Sequence, residues 1–203
     1  MVEYEKLEVI KNLNKIVGTE KLEGNCMYKH HKNFKLRTGV DMDNLRYNLE
    51  KIAENKNNIL EIGFNAGHSC AIMLNKNKNA KFVAMDIGHH NYTKKCVDYL
   101  KTIYNIDYIE GDSKDSLLKY TPKTNIDLIH IDGGHGYISA MSDIFLCRRL
   151  SNENTLILID DTNFSRLNSL LNILVVSRIL IEVNFNDIGL KPTKYHRVYK
   201  YIY

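Results

Sequence analysis

The sequence predicts a doubly wound α/β fold: a mostly parallel sheet covered on both faces by helices, with further helices at the N-terminus. Three observations carry this prediction. From Asn58 onward, short apolar runs alternate with helix-length amphipathic segments. The runs are nearly continuous in apolar character, as strands buried on both faces must be. Acidic residues recur at the ends of successive runs: Glu61, Asp86, Asp112, Asp132, Asp160 and Asp161. In a sheet of this class, ligands bind beyond the carboxyl ends of the strands. An acid at such an end is therefore expected in the crevice and not in the core.

The elements follow in order. EYEKLEVIKNLNKIV spaces Leu7, Ile10, Leu13 and Val17 at helical intervals. CMYKHHKNFKLRTG is polar and basic and reads as a loop. DNLRYNLEKIAENK reads as a helix opening on Asp43 as its N-cap. NILEIG is the first strand, stopped by Gly63, and HSCAIMLNK a helix. KFVAMD, IDYIEGD, IDLIHID and TLILIDD are the next four strands. YTKKCVDYLKTIYN, DSLLKYTP and SAMSDIFLCRRL are the helices between them, and SRLNSLLNILVVSR follows the fifth strand. ILIEVNF and the alternating HRVYKYIY complete a seven-stranded sheet. One domain over 1–203 accounts for this pattern, with a helical cap over 1–54 and the α/β core over 55–203.

Composition excludes several classes. Hydrophobic residues make up 44% and charged residues 26%, as in ordinary globular proteins. A net charge of +4 without a dense basic patch argues against nucleic acid. Cys26, Cys70, Cys96 and Cys147 form no CxxC pair, so they read as free thiols in a reducing compartment. No apolar stretch approaches the roughly 18 residues of a membrane span, and MVEYEKLEVIKN lacks a signal-peptide core. A cytoplasmic protein with no membrane partner is expected.

The first strand-to-helix turn reads EIGFNAGHS, from Glu61 to Ser69. Asn65 stands where a dinucleotide fingerprint has its middle glycine, which disfavours an NAD site. Glu61 would also repel a pyrophosphate and suits a cationic ligand. In Glu61, Gly63, Gly67 and Ser69, with Asp86 and Asp112 at later strand ends, the chain resembles the class I S-adenosylmethionine (SAM)-dependent methyltransferases. The resemblance covers roughly Asn58 to the C-terminus and implies a Rossmann-like methyltransferase fold. It places SAM on Glu61, Gly63, Asn65, Gly67, Ser69, Asp86, Asp112, Ser113 and Asp132, with Asp86 on the ribose hydroxyls and Asp112 near the adenine. Some have a structural alternative: Gly63 and Gly67 a tight turn, Asp86 a helix cap, and Asp112 with Ser113 likewise a cap.

Asp132, Asp160 and Asp161 end the fourth and fifth runs, which should be neighbours in the sheet. Carboxylates converging there would repel unless a cation sat among them, and oxygen ligands favour Mg²⁺, with Mn²⁺ or Ca²⁺ as alternatives. His135, on the glycine-rich loop after Asp132, has an unperturbed pKa near 6.5 and suits a general base. DGGHGY with the later acid pair is similar to the metal-dependent sugar O-methyltransferase branch. That likeness maps the metal onto Asp132, Asp160 and Asp161, and the base onto His135. The catechol-type branch carries a lysine base and an Asp-Asn pair instead. The implied acceptor is a sugar or glycan hydroxyl, a nucleotide sugar included, with a phenolic acceptor or a non-catalytic SAM-fold module as alternatives. His130 reads as a buried structural histidine, and His89 and His90 as loop residues. The basic stretch from Tyr28 to Arg37 reads as a solvated loop or a lid over an anionic acceptor. The N-terminal helices are expected to cover the site or to form a homodimer contact.

Overall fold

The computed structural model describes residues 2–23, 25–29, 34–134 and 136–203. A 3-10 turn (Tyr4–Lys6) leads into α1 (Glu8–Val17), whose Ile10, Leu13 and Val17 are buried at the expected spacing. Helix α2 (Val40–Ala53) begins earlier than expected, and Asp43 is not its cap. Gly39 opens the helix at φ +117°, and its carbonyl accepts from the amides of Met42 and Asp43. Asp43 lies inside the first turn, where an acid suits the positive end of the helix dipole, and pairs with Arg46 at 2.5 Å.

The seven strands are β1 (Asn58–Ile62), β2 (Lys81–Asp86), β3 (Ile106–Glu110), β4 (Leu128–Ile131), β5 (Leu156–Ile159), β6 (Leu180–Glu182) and β7 (Arg197–Tyr201). Their order is β3-β2-β1-β4-β5-β7-β6. The first five are parallel, and β7 enters antiparallel between β5 and β6. Between them run α3 (His68–Met73), α4 (Asn91–Lys101), α5 (Ser113–Lys119), α6 (Tyr137–Arg148) and α7 (Ser165–Val176). The strand order reverses between β1 and β4, so the crevice at that switch point is the expected ligand site.

Side-chain alternation divides the core. Leu60, Ile62, Val83, Met85, Ile129, Ile131, Ile157 and Ile159 pack with residues of α5, α6 and α7. Ile59, Phe82, Ala84, Leu128, Leu156 and Leu158 pack with residues of α1, α2, α3 and α4. Glu61 and His130 occupy positions in register on this second face, where the alternation would place apolar residues. The polar residues of interest thus lie on the face that the N-terminal helices cover.

Arg46 joins α2 to the connection that precedes it. It is 4% exposed, and its Nη1 donates to the carbonyls of Cys26 and Arg37, both at 3.1 Å. Arg46→Ala leaves two carbonyls without this donor and should cost about 2 kcal/mol in urea unfolding. Arg46→Lys reaches with one charged group and should recover part of that loss. Among the described residues, no helix is long and apolar enough to cross a membrane.

Candidate active site

The site begins with a close approach of two backbones. Gly63, just past β1, has φ +92°, a conformation that glycine adopts without a steric cost. A Cβ at that position would stand 1.9 Å from the carbonyl oxygen of Asp132. The amide of Gly63 donates to Met85 at 2.9 Å, and that of Asp132 to Ile62 at 2.8 Å. The ladder therefore extends past the strands and brings the ends of β2, β1 and β4 together.

A cavity of about 370 Å³ opens above this junction, within the range of small-ligand sites. Gly63, Asn65, Ser69, Asp86, Asp112, Ser113 and Asp132 line it, together with Gly133, Gly134, His89 and His90. Asp86 is clamped at its rim. One carboxylate oxygen accepts from the Asn65 amide at 2.7 Å and the other from the Gly88 amide at 2.8 Å. Each oxygen keeps a further lone pair for a ligand. Asn65 sits at φ +52°, and its side-chain oxygen accepts from the Tyr92 hydroxyl at 2.7 Å. Asp112 is the N-cap of α5, accepting from the Lys114 amide at 2.9 Å, and also lines the cavity. The Ser113 hydroxyl donates to Asp143 at 2.6 Å.

Four of the residues singled out in the sequence stand apart from this lining. Gly67, at φ +77°, is the N-cap of α3. A Cβ there would reach the Phe64 ring at 2.5 Å, so its small size serves packing. Glu61 is not a crevice acid: it is fully buried inside β1. Its Oε1 accepts from the Ser69 hydroxyl at 2.5 Å and lies 3.0 Å from Nδ1 of His130, its cross-strand neighbour on β4. Asp160 follows β5 and is 8% exposed. Asp161 follows it in a left-handed conformation at φ +58°. His135 lies outside the described residues, as do residues 30–33 of the basic segment.

A ring nitrogen of His130 and one carboxylate oxygen each of Asp132 and Asp160 lie within 4.8 Å of one another. Among the described residues, Nε2 of His130 and Oδ1 of Asp160 are buried with no hydrogen-bond partner. Buried polar atoms without partners are rare and need an explanation.

A family model described as a methyltransferase domain matches residues 60–162, just over half of the 203 residues. The chain belongs to this methyltransferase family. The matched segment runs from β1 through the acids that follow β5, and so contains Asp86, Asp112, His130, Asp132 and Asp160. No curated relative matches the chain. Among solved structures, a methyltransferase from Podospora anserina with bound S-adenosylhomocysteine (SAH) aligns with TM-score 0.70 and 13% identity, over 98% of this chain and 92% of that one. An O-methyltransferase from Bacillus cereus in complex with SAH aligns with TM-score 0.63 and 14% identity, over 96% and 90%. TomG from Streptomyces achromogenes, an O-methyltransferase involved in tomaymycin synthesis and solved with SAM, aligns with TM-score 0.60 and 12% identity, over 96% and 88%. At these identities the likeness establishes the methyltransferase fold.

In this methyltransferase, electrostatics single out the same cluster. Burial, then the charges of Asp160, Asp161 and Glu61, push the Asp132 carboxyl well above the usual carboxylate range. Burial and Asp161 push Asp160 up to about 7. Burial alone would depress His130, but the Glu61 hydrogen bond and charge outweigh it and raise its pKa. His196 is held neutral by burial, with a pKa lowered to about 3. Asn48 fixes its tautomer. The Asn48 side-chain oxygen accepts from the Lys191 amide, so its nitrogen is the atom facing Nε2 of His196, at 3.0 Å. That nitrogen can only donate, so the His196 proton sits on Nδ1, 3.9 Å from Asp160. His196 is thus turned toward Asp160 with a proton to offer.

Proposed function

We propose that this methyltransferase moves a methyl group from SAM to a hydroxyl oxygen with the help of a divalent cation, and that the acceptor is a sugar or glycan precursor, nucleotide sugars included. One observation carries the reading. Asp132 belongs both to the wall of the cavity that holds the Asp86 clamp and to the Asp132–Asp160–His130 cluster. Donor site and charge-rich site therefore meet at one carboxylate. The sugar acceptor is supported by the DGGHGY motif and the acid pair after β5.

SAM supplies a methyl group on a sulfonium, which acidic surroundings favour. Asp86, with its remaining lone pairs, accepts from a ribose diol. Asp112 and Ser113 border the opposite end, and Gly63 keeps the floor free of side chains. Asp132 and Asp160 would hold the cation, with Asp161 the next carboxylate along the chain. The orphaned buried atoms of His130 and Asp160 fit a positive charge at this place. A bound cation lowers the pKa of an acceptor hydroxyl. His135, three residues beyond Asp132, takes the released proton in this reading, and Tyr137 borders the acceptor. Orientation and electrostatics supply most of the rate. The chain acts as one unit, with residues 1–54 capping a core formed by 55–203. Four buried free cysteines suit the reducing cytoplasm.

Methyl transfer from labelled SAM to panels of sugar and phenolic acceptors, with and without EDTA, tests the reading. Transfer to sugars that EDTA abolishes is expected. EDTA-resistant transfer would remove the cation from the account, and transfer to phenols alone would remove the sugar.

The raised carboxyls add a pH test. Their folded pKa values exceed the unfolded carboxylate range, so the metal-free fold is penalised at high pH. It is relieved as pH falls from about 7 towards 4. A cation needs the deprotonated groups. The rise in melting temperature on adding Mg²⁺ or Mn²⁺ should therefore be larger at pH 8 than at pH 6.

A further inference from the structure

We propose that His130 is a nitrogen ligand to the cation and that Glu61 is the residue positioning it for that task. This rests on the reading that a cation occupies the cluster, and it changes both the chemistry of the site and the role of Glu61.

His130 lies in β4 and Asp132, two residues on, continues the ladder just past its end, so the pleat directs both side chains toward the same face. Glu61 stands opposite His130 in the β1–β4 register. Both residues are fully buried on a face where the central strands otherwise present Ile59, Phe82, Ala84, Leu128, Leu156 and Leu158. A carboxylate and an imidazole in such a place are costly without a purpose. Glu61 takes Nδ1 of His130 at 3.0 Å, and Ser69 secures the same carboxylate oxygen at 2.5 Å. With Nδ1 engaged, Nε2 is the nitrogen left over. It is buried and has no partner among the described residues, as is true of Oδ1 of Asp160. Ring nitrogen and carboxylate oxygens lie within 4.8 Å of one another, close enough to share one ion. A carboxylate on one imidazole nitrogen, leaving the other for a metal, is the usual way a histidine ligand is oriented.

The donor set is then one nitrogen and two oxygens. Mg²⁺ prefers oxygen alone, whereas imidazole suits transition metals. The site should favour Mn²⁺, Fe²⁺ or Co²⁺ over Mg²⁺. Glu61 lies below the cavity and acts through His130 and Ser69.

The competing state has no metal: a protonated His130 donating from both nitrogens, to Glu61 on one side and the Asp132–Asp160 pair on the other. Pulsed electron-spin-echo spectroscopy on the whole chain loaded with Mn²⁺ alone separates the two. The expected result is nitrogen modulation from a coordinated imidazole that changes on selective ¹⁵N-histidine labelling. It should disappear in His130→Gln and persist in His135→Ala. Glu61→Gln should keep the modulation and weaken Mn²⁺ binding by about 10- to 100-fold. Bound Mn²⁺ without nitrogen modulation, or modulation that survives His130→Gln, would overturn the assignment while leaving a cation site in place. Failure of the wild-type chain to bind Mn²⁺ or Mg²⁺ at all would overturn the cation reading itself. Should His130→Gln not fold, the wild-type and His135→Ala spectra still decide, since loss of the signal in His135→Ala contradicts the proposal.

Discussion

Gly63→Ala is expected to destabilise the protein by about 3 kcal/mol or more and to abolish binding in the crevice. Two separate costs add. A left-handed conformation disfavours any residue with a Cβ by about 1–2 kcal/mol. The new carbon would also stand 1.9 Å from the Asp132 carbonyl, so β1 and β4 must part at their ends. Backbone on both sides leaves no flexible side chain to yield. Gly134→Ala is the control. Its nearest contact would be the Ser139 Cβ at 3.3 Å and its φ is not positive, so it should cost under about 1 kcal/mol. Urea unfolding of the two variants gives the comparison. Equal losses would contradict the close approach as the reason for glycine at Gly63.

Asp132→Asn should act in opposite directions on stability and activity. It keeps the shape of the side chain and removes an acid whose charged form burial and three neighbouring carboxylates disfavour. The metal-free protein should become more stable by about 1 kcal/mol. Methyl transfer should fall about a thousandfold, since one charged anchor of the reacting centre is gone. Strain and repulsion held at a functional site commonly produce this trade-off. Melting temperature in EDTA and turnover with cation present measure the two effects. A variant that is both less stable and fully active would show that Asp132 is structural. His135→Ala, by contrast, should lose turnover at unchanged SAM affinity.

The strand and helix pattern was readable because each element satisfies its own periodicity. Strands buried on both faces must be mostly apolar, and NILEIG, KFVAMD, IDLIHID and TLILIDD are, with Glu61 and His130 as the interior exceptions. The start of α2 was misread because Asp43 has the chemistry of a cap. Its charge is used by Arg46 one turn later, and Gly39 opens the helix. Asp86 and Asp132 were found in the crevice because each acid follows the last apolar residue of its run, and Asp112 because it caps the helix that follows β3. Glu61 looks alike in sequence, yet one further residue of strand follows it, and the pleat turns it into the core. His130 carried a usable signal, its two-residue spacing from Asp132. A histidine within an apolar run reads more simply as packing, and only its cross-strand partner Glu61 reveals more. His196 carried no signal. It lies far along the chain and reaches Asp160 because β7 inserts antiparallel beside β5.

The central claim is that the cavity over β1, β2 and β4 is a SAM site whose carboxylate clamp is Asp86. Calorimetric titration of the protein with SAH, beside a matched titration with NADH, tests it most directly. The account predicts saturable one-to-one binding of SAH, weakened at least about tenfold in Asp86→Ala, and no binding of NADH. Absence of SAH binding to the folded wild-type protein would contradict it.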